Sequence, residues 1–109
     1  MCVHLDNHRP PQSGSKQISN AITKCYSLDH GKWWLQHPLL TGRVLAGASM
    51  SPAGLLLTGG WAPGTFLSST EVLKPDGWEA GPDMLVGLND HCQVTVGSRL
   101  YVAGRAEGA

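Results

Sequence analysis

Shifting the chain by 45 residues lays residues 20–64 on residues 65–109 without a gap, and this self-similarity constrains the fold more than any single motif. Leu28 then meets Leu73, Trp33 meets Trp78, Leu40 meets Leu85, Gly42 meets Gly87, Leu55 meets Leu100 and Gly59 meets Gly104. Between these identities fall conservative pairs: Ile22 with Leu67, Leu39 with Met84, Leu56 with Tyr101 and Leu57 with Val102. The matches sit on Trp, Gly and apolar positions, the places where a repeated architecture needs the same residue type twice. Two repeats, 20–64 and 65–109, are therefore expected.

Within each repeat the apolar residues come in short runs separated by Gly, Pro, Asp and Asn. No segment sustains apolar residues at i, i+3, i+4 and i+7 over three turns, so amphipathic helices are not expected. The runs predict strands at 22–28, 33–35, 44–50, 55–58, 66–73, 77–80, 91–96 and 100–103. Turn signals lie between them, including Asp29-His30-Gly31, Pro75-Asp76-Gly77 and Val96-Gly97-Ser98. Fourteen Gly and seven Pro in 109 residues agree with a turn-rich all-β chain. A period of about 40–50 residues with four strands per unit falls in the range of β-propellers.

Composition limits the function. Eight basic and eight acidic residues give a net charge of zero. Such a surface lacks the field that drives binding to nucleic acid or an acidic membrane. Residues 1–19 hold few apolar residues and contain Pro10-Pro11, and they read as a disordered or non-native leader. They include no apolar run of the signal-peptide kind, and no stretch of the chain approaches a membrane span. Cys2, Cys25 and Cys92 are odd in number and irregularly spaced, which suggests free thiols in a reducing compartment. A cytoplasmic location is the expectation.

Together these residues resemble kelch repeats. Leu55-Leu56-Leu57-Thr58-Gly59-Gly60 looks like the strand that ends in a diglycine, and Ser68-Ser69-Thr70-Glu71-Val72-Leu73 like the strand that follows. Trp78, with Gly81-Pro82-Asp83-Met84 behind it, looks like the repeat's Trp and the exit from the blade. Cys25-Tyr26-Ser27-Leu28, Trp33 and Leu100-Tyr101-Val102-Ala103-Gly104 repeat the theme, and His91-Cys92-Gln93-Val94 is similar to kelch-like sequences. Two departures stand out: Arg105 replaces the second Gly of the last pair, and Glu71 fills a slot that is often aromatic.

The resemblance implies a partial kelch-type β-propeller, with one complete four-stranded antiparallel blade at about 42–81 flanked by two half-blades. Kelch rings commonly have five to seven blades, so the remaining blades are missing from these two repeats and the chain is expected to be a fragment of a larger propeller. On its own it is expected to hold only weak tertiary packing, since stacked repeats share a core. Blade faces should be apolar on both sides, with Trp33 and Trp78 wedged between sheets. Leu28, Leu55, Leu73 and Leu100 are the strand apolar positions, and Gly59, Gly60 and Gly104 the close-approach glycines.

The resemblance further implies a non-enzymatic module that binds protein partners without a cofactor. In kelch-like adaptor proteins such a module recruits substrates to a ubiquitin ligase through a separate BTB domain. The alternatives are a fragment of a kelch-fold copper oxidase, or a gene remnant with no independent function. Copper-oxidase chemistry needs a Tyr–Cys crosslink, and Cys25 and Tyr26 are strand neighbours whose side chains point to opposite faces. No G-x-S-x-G, phosphate loop or zinc-ligand spacing occurs. Binding residues are sought in the loops at the blade ends. Trp61 lies in the Gly/Pro-rich stretch 60–65, where it either covers a blade edge or anchors a partner. Arg43 stands where kelch repeats often carry an Arg and could fork onto a partner carboxylate. Asn89 and His91 mark the start of the next inner strand.

Overall fold

The computed structural model describes residues 2–4 and 23–106, and among them the fold is all-β. Eleven strands run in order. The first five are β1 (Cys2–His4), β2 (Cys25–Asp29), β3 (Lys32–Leu35), β4 (Gly47–Ser51) and β5 (Gly54–Thr58). They are followed by β6 (Trp61–Ala62), β7 (Thr65–Phe66), β8 (Thr70–Lys74) and β9 (Gly77–Ala80). The last two, β10 (Leu88–Val96) and β11 (Arg99–Ala106), are the longest. The predicted strand at 66–73 is interrupted at the irregular residues 67–69, which separate β7 from β8. No helix of the described residues is long and apolar enough to cross a membrane.

Four strands form the central antiparallel sheet in the order β4-β5-β8-β9. Before it stands a sheet β1-β2-β3, and after it the hairpin β10-β11. The 45-residue period reappears in the backbone. Asp29 pairs with Lys32 and Tyr26 with Leu35, just as Lys74 pairs with Gly77 and Glu71 with Ala80. Gly47 pairs with Thr58 and Ser51 with Gly54, just as Cys92 pairs with Ala103 and Val96 with Arg99. Leu45 and Asp90, again 45 apart, both take the left-handed backbone conformation, with φ of 59° and 51°.

The hairpin turns explain part of this regularity. His30 and Gly31 both have positive φ, which is the two-residue turn whose twist suits adjoining strands. At the other end of β5, Gly59 and Gly60 have φ of 60° and 103°. A Cβ on Gly60 would lie 2.7 Å from the Val44 carbonyl oxygen, and one on Gly59 would collide with that of Leu88. The diglycine is thus a close approach between the central sheet and the segments leading into β4 and β10.

The core lies between the first two sheets. Cys25, Leu39, Leu57 and Trp78 are buried together, with Leu55 and Leu73 packed against them. Trp78 is 6% exposed and its indole N–H donates to the His37 carbonyl at 2.9 Å. Trp33, its repeat partner, is 58% exposed, and Leu28 is exposed as well. Trp33 therefore does not wedge between sheets in this chain. The segment 37–39 that covers Trp78 has no counterpart over Trp33 among the described residues.

Two further expectations change. Residues 2–4, read as leader, form β1, whose residues Cys2, Val3 and His4 pair with Ser27, Tyr26 and Cys25. The rest of that leader, residues 1 and 5–19, lies outside the described residues, as do residues 20–22 of the first repeat. Cys25 is buried and disulfide-bonded rather than a free thiol, whereas Cys92 is free and exposed. Spacing along the chain could not show this, because the strand pairing that brings residues 2–4 beside β2 is long-range.

Candidate functional site

Arg43 sits at the centre of a buried polar cluster and has no exposed surface. Its guanidinium lies 2.9 Å from Glu71 Oε2 and donates to the carbonyls of Gly59 at 2.8 Å and Ser69 at 2.9 Å. It also donates to Ser69 Oγ at 3.0 Å. Glu71 accepts the Leu40 amide at 2.7 Å and the Thr41 amide at 3.1 Å. Burial pulls the Arg43 pKa below its ordinary value, and the charge of Glu71 and its hydrogen bond oppose that shift. The carboxylate that Arg43 meets, through one nitrogen rather than a fork, is therefore its own chain's Glu71, and a partner has no access to it. The acidic residue in an aromatic slot is explained by the same cluster, which ties β8 to the segment leading into β4.

His91 is half-buried on β10 and points at the central sheet. Its Nε2 lies 2.7 Å from Thr58 Oγ1, and Thr58 donates its one proton to Gln93 Oε1 at 2.5 Å. Gln93 Nε2 in turn donates to Ser49 Oγ at 2.9 Å and the Leu56 carbonyl at 3.1 Å, which fixes its amide orientation. With that proton committed, Nε2 of His91 must carry the ring hydrogen. Nδ1 is left buried without a hydrogen-bond partner. Gly47, Gly59 and Gly104 make the space for the ring and its stem, since a Cβ on any of them would press on His91. Thr95 Oγ1 completes the row, 2.9 Å from Ser49 Oγ and against the Met50 carbonyl. The junction between β10 and the central sheet is thus polar and hydrogen-bonded, where apolar faces were expected.

Burial lowers the His91 pKa from its ordinary 6.5, against an opposing pull from the neighbouring Asp90 charge. The folded state then binds fewer protons than the unfolded chain. This part of the stability is complete above pH 6.5 and declines as pH falls through the lowered folded-state value. Urea midpoints measured between about pH 8 and pH 5 should show that decline, and His91→Gln should flatten it.

One end of the molecule gathers the other candidates. The Gly60 amide donates to the Leu88 carbonyl at 2.8 Å, so Trp61 and Asn89, which follow these residues, leave from the same place. Trp61 is half-buried in the hairpin β6-β7, where it pairs with Phe66 and exchanges backbone hydrogen bonds with Val44. Asn89 pairs with Arg105 at the start of β10, next to an irregularity before Cys92. The Asp90 amide donates to the Leu45 carbonyl at 2.8 Å, joining the two left-handed residues. Leu45, Leu85 and Val86 are exposed at or near this end. Such a conformation is costly for a branched residue like Leu and tends to accumulate at functional surfaces. Sequence reasoning missed Leu45, because Leu45 and Asp90 share no residue type and only the backbone shows that they match.

The structure therefore brings Trp61 and Asn89 to one rim, turns His91 inward beneath it and buries Arg43. Among the described residues no group of three His, Cys, Asp or Glu side chains is placed to hold a metal ion. No protein-family model matches the chain, and no curated protein matches its sequence.

Proposed function

We propose that this chain is a non-enzymatic protein-interaction module of kelch-repeat type, part of a propeller that contains more sheets than its own two repeats supply. The observation that carries the reading is the 45-residue repetition of strand registers, which makes β2-β3 the counterpart of β8-β9 and β10-β11 that of β4-β5. Rigid sheets of this kind hold the rim of Leu45, Trp61, Val86 and Asn89 in a fixed geometry, and the rim presents an aromatic among apolar and amide groups. A partner that offers an apolar anchor with a hydrogen-bonding flank fits that surface. Recruitment to a ubiquitin ligase is the role that the kelch resemblance suggests for the parent propeller.

Cross-linking mass spectrometry with the full chain as bait should place partner cross-links around residues 60–65 and 89. Trp61→Ala should weaken a partner found this way by about 30-fold, the loss of about 2 kcal/mol typical of an interface hot spot. Arg99→Ala, at the opposite end of β11, should change binding less than about threefold, a surface-sized effect. Unchanged retention by the Trp61 variant would remove the rim from the reading. Copurification of the parent with cullin-type scaffolds tests the ligase role, and their absence would sink it.

A further inference from the structure

We propose that the sheets which this chain leaves incomplete are completed by further copies of itself, head to tail. In the composite sheet β10-β11 of one copy continues into β2-β3 of the next. The inference rests on the repeat-module reading above and names the partner that supplies the missing strands. In the central sheet β5 pairs with β8, matching Leu56 to Val72, Leu57 to Glu71 and Thr58 to Thr70. Among the described residues β11, the counterpart of β5, pairs only with β10. Carried over by the 45-residue period, the same register sets Tyr101, Val102 and Ala103 of one copy against Ser27, Tyr26 and Cys25 of the next. Those three positions of β2 are the ones that β1 now pairs with, so β1 is the strand displaced, and the exchange requires the disulfide at Cys25 to be reduced first.

What favours exchange is the face that comes with β11. Beside β2 and the central sheet lies an open cleft of about 730 Å³, lined by Ala48, Met50, Leu55 and Leu73 on one side and by Ser27 and Gln36 on the other. On β10 and β11, Val94, Val96 and Tyr101 are exposed on the side turned away from the chain's own central sheet. The chain already shows how one such sheet sits on the next, through Thr58, His91, Gln93, Ser49 and Thr95. Shifting each of these by 45 residues gives the residues that would meet between copies. Thr58 and Ser49 become Ala103 and Val94 of one copy, and His91, Gln93 and Thr95 become Ala46, Ala48 and Met50 of the next.

Every polar member of the internal junction is thus apolar in the junction between copies. None of these five positions strands a hydrogen-bonding side chain there, and their burial is hydrophobic. The same shift lays Met84 and Val102 of one copy over Trp33 of the next, as Leu39 and Leu57 lie over Trp78 within the chain. It explains why a Trp whose repeat partner is a core residue stands exposed in the single chain. Each copy then contributes two sheets. Propellers of four to eight blades correspond to two, three or four copies, and a head-to-tail contact that closes makes a ring.

Light scattering on the full chain in reducing buffer should give two to four times the 11.6 kDa chain mass. Val94→Asp and Trp33→Ala, both at positions exposed in the single chain, should each return it to the mass of one chain. In a Cys2→Ser, Cys25→Ala and Cys92→Ser background, which removes the native disulfide, Val94→Cys with Met50→Cys should form a disulfide between copies on oxidation. Ser49→Cys with Thr95→Cys should form one within the chain, and it should form in the Val94→Asp variant too, showing that this variant still folds. A wild-type chain that stays monomeric while the internal pair still links would overturn self-assembly and leave the stacked-sheet reading standing. Failure of the internal pair to link would overturn both. An oligomer that ignores Val94→Asp and Trp33→Ala would overturn the proposed face.

Discussion

Trp78→Ala is expected to unfold the central part of the chain, with a loss of about 3–5 kcal/mol. The indole fills the contact between the first two sheets, touching a core that otherwise consists of Cys25, Leu39 and Leu57 with Leu55 and Leu73 at its margin. Truncation removes the largest member of this small cluster and leaves the His37 carbonyl without its donor. A domain of about this size has roughly 5–15 kcal/mol of total stability, so the loss is a large part of the whole. Urea unfolding followed by tryptophan fluorescence and near-ultraviolet circular dichroism measures it. Retention of the wild-type midpoint would show that the sheets are not joined through Trp78.

The second large effect belongs to Arg43 and Glu71. Arg43→Ala and Glu71→Ala should each cost about 3–5 kcal/mol, because each leaves a buried charge without its partner. This cluster differs from a bare ion pair in what else it holds. Arg43 satisfies the carbonyls of Gly59 and Ser69, and Glu71 the amides of Leu40 and Thr41. Replacing both residues by apolar ones of similar size would still take the side-chain partners from the Gly59 carbonyl and the Leu40 and Thr41 amides, while Ser69 keeps the Gly59 amide, so the double variant should remain below wild type. A double-mutant cycle in urea gives the coupling, and it should be clearly non-zero for a pair at 2.9 Å inside the protein. Additive single losses would mean that the two side chains act on separate parts of the fold.

The role of Arg43 is where reading the chain and seeing it folded diverge most. A lone Arg in a loop with no acidic residue nearby in sequence reads as a surface group available to a partner. Its carboxylate is 28 positions away on β8, and only the pairing of β8 with β5 brings it within reach. Glu71 read as a departure from the repeat, when it is the reason an Arg can be buried at all. His91 is a similar case: its residue type and position at the start of an inner strand were legible, but its inward direction follows from the packing of β10 on β4.

The diglycine at residues 59 and 60 was more fully legible. Two glycines ending an apolar strand point to a backbone approach that a Cβ would block, and Leu88 and Val44 are the groups approached. Trp61 was legible as a rim residue because Pro63 and Gly64 can only turn the chain back on itself there. The structure adds its backbone pairing with Val44, which reaches it from the segment leading into β4.

By itself the sequence determined most of the longer strands, their hairpins and the 45-residue period, since these depend on turn chemistry and on contacts between residues close along the chain, but not β1 or the short hairpin β6-β7. The structure decided what identical repeat positions do. Trp33 and Trp78 occupy the same place in the same local pattern, yet one is exposed and the other buried. The difference lies in a neighbouring sheet, and burial is a property of what packs against a residue rather than of the residue itself. The same holds for the two junction faces, one polar and one apolar: alternation along β4 and β10 fixes which residues share a face, but only the stacking of sheets sets what that face meets.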